Sequence, residues 1–186
     1  MITNVRCKAQ CFVFTGGPGA GKTTVLDLLA QQGFFTQPEA ARQIIREQMA
    51  DGGSAVPWHN NARYTQLMQE RSIAGWEAAP LPNAGPCFFD RGIPDVIGHM
   101  QLNNLPVNAA LHNAAQQCRY NPQVFIFPPW ESIYCTDTER KQSFAEAVRT
   151  YEVIAGIYKA CGYTLQVVPV APPPERAAFI LQCIAA

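Results

Sequence analysis

The feature that most constrains this chain is the run Gly16-Gly17-Pro18-Gly19-Ala20-Gly21-Lys22-Thr23-Thr24, set between an apolar stretch and a helical pattern. It matches G-x-x-x-x-G-K-[ST], with Gly16 first, Lys22 after Gly21 and Thr23 last. Glycines let the backbone turn sharply and bring successive N–H groups against an anion with no Cβ in the way. The Lys22 ammonium is a compact point charge that reaches outer phosphates, and the Thr23 hydroxyl suits a magnesium ion. A helix N-terminus behind the loop adds partial positive charge. The flanks agree. Cys11-Phe12-Val13-Phe14 is β-prone, and Val25, Leu28 and Leu29 recur at helical spacing up to Gly33, a suitable C′ stop. Strand, glycine loop and helix in that order predict a nucleoside triphosphate site cradled by residues 16–24. A glycine-rich turn that merely contains Lys-Thr is the bland alternative, and the flanks count against it.

The rest of the chain repeats this alternation. Phe34-Phe35-Thr36, Cys87-Phe88-Phe89-Asp90, Val124-Phe125-Ile126-Phe127 and Leu165-Gln166-Val167-Val168 read as four more short strands. Helices are expected over 40–46 (with Pro38 as a first-turn proline), 59–79, a stretch through 102, 108–118 and 143–161. The last of these is opened by the capping box Ser143-Phe144-Ala145-Glu146 and closed by Gly162. After a stiff Ala171-Pro172-Pro173-Pro174 loop, a terminal helix is expected over 175–183. Five buried strands alternating with helices predict an α/β fold, a three-layer α/β/α P-loop domain with a five-stranded parallel sheet, spanning 1–186 as one unit.

Composition narrows the partners. Basic and acidic residues number 14 each, so the formal charge is zero, which argues against a general nucleic-acid or membrane-surface binder. Seven cysteines, at 7, 11, 87, 118, 135, 161 and 183, show no C-x-x-C and no zinc spacing with His59, His99 or His112. Most of them read as small buried hydrophobes in a reducing compartment. The N-terminal apolar run is too short for a signal peptide and no stretch has membrane-spanning length, so a cytoplasmic protein is expected. Nothing in the pattern specifies an oligomeric state.

In open α/β sheets ligands bind beyond the carboxyl ends of the strands, so chemistry is sought there. Asp90 ends an apolar strand and is placed to hold the magnesium shell opposite Thr23; capping the next helix is the alternative. Glu39, just past the second strand, is the candidate base for an acceptor hydroxyl, or simply a helix-dipole partner. Arg42, one turn on, either orients Glu39 and substrate or forms a plain i,i+3 pair. Arg91 either contacts acceptor or phosphate or is a surface arginine. The 128–142 segment is a candidate lid, with Arg140 and Lys141, and Arg149 beyond it, as cations for the transferring charge; a solvated loop is the alternative. Residues 52–80 are the candidate acceptor-binding helices, where Trp58, Arg63, Tyr64 and Gln66 form either an aromatic wall or ordinary packing. Arg119 fits a helix C-terminus.

The runs Thr15 to Thr24, Pro38-Glu39-Ala40-Ala41-Arg42 and Phe89-Asp90-Arg91-Gly92-Ile93-Pro94-Asp95 resemble a family of small predicted ATPases. That family is grouped with the ribosylnicotinamide-kinase domain of the NAD-biosynthesis regulator NadR. Phe127-Pro128-Pro129-Trp130, Asp137-Thr138-Glu139-Arg140 and Gly162-Tyr163 fit the same pattern, so the resemblance covers nearly the whole chain. More broadly the chain is similar to nucleoside and nucleotide kinases, in which a carboxylate after the second strand serves the acceptor and an Asp-Arg pair follows the third. The resemblance implies ATP and Mg2+ as cofactors and catalytic roles for Lys22, Glu39, Asp90, Arg91 and Arg140. The expected activity is transfer of the γ-phosphate of MgATP to a hydroxyl of a small metabolite, a nucleoside being one candidate. An ATPase or nucleotide-dependent switch read by a protein partner is the second reading. No Asn-Lys-x-Asp run marks a guanine-reading GTPase, and the length leaves no room for the helical domain of an AAA+ remodelling machine.

Overall fold

The computed structural model describes residues 4–134 and 142–185. In chain order its strands are β1 (Arg6–Cys7), β2 (Cys11–Gly16), β3 (Phe35–Gln37), β4 (Cys87–Asp90), β5 (Cys118–Arg119), β6 (Gln123–Phe127) and β7 (Thr164–Val167). The helices are α1 (Lys22–Gln31), α2 (Ala40–Ala50), α3 (Asn61–Ala78), α4 (Ile93–Leu102), α5 (Ala109–Gln117), α6 (Phe144–Ala160) and α7 (Pro173–Ala185). Five strands form one parallel sheet in the order β3-β4-β2-β6-β7. This is the α/β fold expected, with helices on both faces.

Alternation along each strand sorts the core into two layers. Phe12, Phe14, Phe88, Phe125 and Phe127 face α1 and α7, their rings 5.2–6.1 Å apart where Phe14 or Phe12 meets its neighbours. Cys11, Val13, Cys87, Phe89 and Val124 face the layer of α2 through α6. All six residues of β2 are buried, as a central parallel strand requires. Its neighbours β4 and β6 leave in opposite directions, so the crevice where the strand order reverses opens directly beyond Gly16.

Several local expectations shift. Cys118 does not extend a helix; it starts β5, which pairs with β1 through Arg6↔Cys118 and Cys7↔Arg119 in a small second sheet. Two-residue strands carry no readable alternation. Behind them Trp76, 1% exposed, donates through its indole nitrogen to the Arg119 carbonyl, with the Lys8 ammonium 4.7 Å from its ring. Pro38 precedes α2 rather than opening it, because Glu39 is the N-cap residue. Pro173 and Pro174 belong to the first turn of α7, where a missing N–H is harmless, so the stiff loop is shorter than the sequence suggests. The Ser143/Glu146 capping box forms as expected, with Ser143 N donating to Glu146 Oε2 at 2.6 Å. Among the described residues no helix is long and apolar enough to cross a membrane.

Candidate functional site

The loop 16–24 runs from the end of β2 into α1, with Gly21 as N-cap in the left-handed region (φ 77°). A Cβ on Gly17 would collide with the Ala147 carbonyl, so glycine lets α6 press directly against the loop. Lys22 is 5% exposed, and its ammonium folds back across the loop to donate to the Gly17 carbonyl at 2.9 Å. Burial first, then the Arg91 charge, brings its pKa down to about 8, while Asp90, Glu39 and Asp95 pull the other way. The amine is thus held where a phosphate would replace a weak carbonyl partner.

Across the strand end, the Thr23 hydroxyl donates to Asp90 Oδ2 at 2.9 Å. Asp90 is 3% exposed, and its other oxygen, Oδ1, is buried without a hydrogen-bond partner. Burial and then the Glu39 charge push this carboxyl above its usual range, against Lys22, Arg91 and the Thr23 bond. A buried carboxylate oxygen lacking a donor, one hydroxyl away from a phosphate loop, fits a hard cation such as magnesium. Asp90 does not cap the next helix: α4 begins at Ile93, and it is Asp95 Oδ2 that accepts from the Gly92 N–H at 2.9 Å.

Arg91 is the pivot of the site. Its backbone is left-handed (φ 72°), an uncommon state for a side chain of this size and a local cost the surroundings must hold. They do so by three acceptors. Nε donates to Glu39 Oε1 at 2.8 Å, and Nη1 donates to the Gly16 carbonyl and Asp95 Oδ1, each at 3.0 Å. Asp95, 4% exposed, also accepts from Thr15 and from Tyr158, both at 2.6 Å. Arg91 is therefore a largely buried brace and not a surface arginine. Glu39 caps nothing with its side chain, which lies between Arg91 and Arg42, the latter at 3.5 Å. Burial alone would push Glu39 up, but Arg91, then Lys22 and Arg42, outweigh it and hold the carboxyl below its usual range.

Lys22, Thr23, Glu39, Arg42, Arg91 and Asp95 line one cleft of about 810 Å³ that begins at the phosphate loop and continues past Glu39 to Trp58, Tyr64, Met68 and His99, while Asp90 borders a small pocket beside it with Glu39 and Arg91. Tyr64 is both core and wall: 3% exposed, with its ring edge-on to His99 at 5.5 Å. Gln66 and Arg63 do not reach the cleft; both turn outward to Glu70. Burial, then the Arg91 charge, lowers the His99 pKa to about 4, leaving a neutral ring at 3.1 Å from Asn61 Oδ1. From the candidate lid, Trp130, Ile133 and Gln142 line the loop end. Arg140 and Lys141 lie outside the described residues, and Arg149 is exposed on α6 away from the cleft lining. Arg119 does meet a helix C-terminus, donating to the Ala115 carbonyl at 3.3 Å.

Sequence reasoning gave no role to three residues that the fold brings here. Asp95 sits in the recognised run but is readable only as part of it, since two of its four donors, Thr15 and Tyr158, come from distant segments. His99 is one turn after Asp95 on the same buried face of α4. Arg176 follows the last strand, where the strand-end rule points, yet three prolines before it suggest only a stiff turn.

The family model described as "AAA domain" matches residues 11–176. A search of curated proteins returns no match. Among solved structures, a thymidylate kinase from Ehrlichia chaffeensis superposes with a TM-score of 0.62 at 15% identity, covering 96% of this chain and 99% of that one. A shikimate kinase from Aquifex aeolicus gives 0.56 at 16%, covering 94% and 96%. The YorR protein of Bacillus subtilis, in complex with phosphorylated GDP, gives 0.54 at 9%, covering 94% and 95%. At such identities the likeness is one of fold, shared over the full length of each. The chain belongs to the AAA domain family, and its fold is that of small P-loop kinases.

Proposed function

We propose that this protein transfers the γ-phosphoryl group of ATP to a hydroxyl of a small acceptor bound beside Glu39. The observation that carries this reading is the single cleft running from the phosphate loop past Glu39 to Tyr64 and His99. Water needs no such chamber, whereas ligand pockets occupy about 300–1,000 Å³ and this one lies near the upper end, with room for donor and acceptor. The kinases among the similar structures support the reaction class by fold alone.

In this reading the loop amides and Lys22 bind the β- and γ-phosphates. Thr23 and Asp90 would hold magnesium, which supplies neutralisation of charge on the phosphates. The acceptor oxygen bonds to the γ-phosphorus, the bond to the bridging oxygen breaks, ADP leaves, and the acceptor proton passes to Glu39. Because Arg91 keeps Glu39 strongly ionised, its main work is orienting the hydroxyl, in keeping with a loose transfer that asks little of a base. Arg91 holds that carboxylate in place, and Arg140 would add positive charge from the candidate lid. The unpaired thiols of the described cysteines suit a cytoplasmic setting.

Incubation with MgATP and a metabolite extract, followed by mass spectrometry, tests this. A phosphorylated product that vanishes in Lys22→Ala supports it. Hydrolysis of ATP at a rate no extract fraction changes would instead favour the ATPase or switch reading.

A further inference from the structure

Arg176 is the one described arginine that is both fully buried and without a carboxylate in reach. It is 1% exposed in the first turn of α7, and no ion pair involves it among the described residues. Its guanidinium lies 4.8 Å from the Phe127 ring and 5.7 Å from Trp130. Nη2 donates to the Ala20 carbonyl at 2.6 Å, while Nε is buried with no partner. Tying a helix to a loop carbonyl needs only a neutral donor. A buried cation with no counter-charge is the costly way to do it, unless an anion arrives.

The peptide joining Ala20 to Gly21 shows where that anion belongs. The bond is trans and planar, so its C=O and N–H point in opposite directions. With Arg176 gripping the Ala20 oxygen on one side, the Gly21 N–H faces the other. The guanidinium also packs closely against the loop, since a Cβ on Gly21 would come within 2.7 Å of Nη1. Gly21, Lys22 and Thr23 line the cleft, and Ala20 and Arg176 line it as well, so an anion held by the loop lies within the same space as the guanidinium. A charged donor on the carbonyl polarises the whole peptide and strengthens its N–H as a donor.

We propose that Arg176 is a positioning residue of the phosphate site: it fixes the Ala20–Gly21 peptide so that the Gly21 N–H meets the bound phosphates, whose charge in turn compensates its own. This rests on reading the loop as a nucleotide phosphate cradle, and it assigns α7 a part in phosphate affinity. The effect is on the phosphates and not on the base.

Calorimetric titration of wild type, Arg176→Met and Arg176→Lys with ATP and with inorganic tripolyphosphate, beside melting curves of the unliganded proteins, tests it. The Met variant is expected to bind both ligands about tenfold more weakly, as loss of one charge-assisted contact implies. The Lys variant should stay within about threefold of wild type for both, by keeping donor and charge. Unliganded Arg176→Met should melt no lower than wild type. Undiminished tripolyphosphate affinity in Arg176→Met, with or without a lower melting temperature, would overturn the proposal and leave a structural tie. Weakening for ATP alone would overturn it in favour of a base contact. Wild type binding neither ligand would instead overturn the phosphate-cradle reading itself. Should Arg176→Met not fold, Arg176→Gln, a neutral donor, takes its place: affinity equal to wild type would be equally fatal.

Discussion

The two halves of the cleft are built on different principles. The donor half is a backbone device: nine consecutive residues, 16–24, turned by glycine and completed by one strand-end carboxylate, Asp90. The other half, where the proposed acceptor would sit, is a side-chain device assembled from α2, α4, α3 and the segment leading into it, with Trp58, Tyr64 and His99 as its walls. Charge follows the same division. Lys22, Asp90, Arg91 and Asp95 crowd at the loop with Glu39 at the border between the halves, whereas the far chamber presents a neutral imidazole and apolar rings. Backbone amides recognise any phosphate and need no particular side chain; a chamber of side chains selects by shape. On the proposed function, the first half would fix a reaction class and the second a substrate.

Substitutions can pull the halves apart. The largest effect is expected for Asp90→Asn, which keeps a partner for Thr23 but removes the anionic oxygen. Phosphoryl transfer should fall about a thousandfold, the upper range for losing one preorganised charge contact. The unliganded protein should melt no lower, because burial and Glu39 already disfavour the ionised form. Turnover assays beside melting curves check both; a drop in stability with turnover intact would break the division.

Glu39→Gln comes next. Turnover should fall about a hundredfold, the low end for general-base loss, since Arg91 already holds Glu39 at low proton affinity. Nucleotide affinity measured by titration should change less than about twofold. A matching loss of nucleotide affinity would place Glu39 in the donor half.

The neutral chamber predicts an acid limit. The folded pKa of His99 is lowered to about 4 from 6.5, so the unfolded chain takes up a proton at higher pH than the folded one. Stability is therefore full above about 6.5 and falls as pH drops towards 4, by at most about 3 kcal/mol from this group. Denaturant titrations at pH 7 and pH 4.5 should show a smaller difference in His99→Gln than in wild type. Equal differences would remove His99 from the account.

Trp58→Ala is expected to be mildest. Half-exposed Trp58 should contribute to acceptor KM by about three- to fivefold with kcat unchanged, as partial loss of aromatic contact implies. A kcat effect would move Trp58 towards the chemistry.

What the sequence exposes follows from the same contrast. The phosphate loop, the five strands and the Ser143/Glu146 cap are short-range patterns, and a single chain displays them in full. Glu39, Asp90 and Arg91 are legible because strand ends mark them. The Asp95 network is not, since Thr15 of β2 and Tyr158 of α6 meet it only once β2, α4 and α6 pack together. Gln66 and Arg63 misled for the reverse reason: polar residues on a helix near a site look alike until one knows which face turns inward. Arg176 was hidden by distance, 156 residues from the carbonyl it holds.

The placement of the three tryptophans gives the molecule its own optical addresses. Trp130 stands beside the guanidinium at the phosphate loop, Trp58 on the far chamber wall, and Trp76 in the dry core behind the small sheet. Emission from Trp130 should respond to nucleotide, that from Trp58 to acceptor, and Trp76 should supply a steady background. Two single-indole proteins, each keeping one responsive tryptophan, would record the order in which the halves fill, in real time and with no added dye.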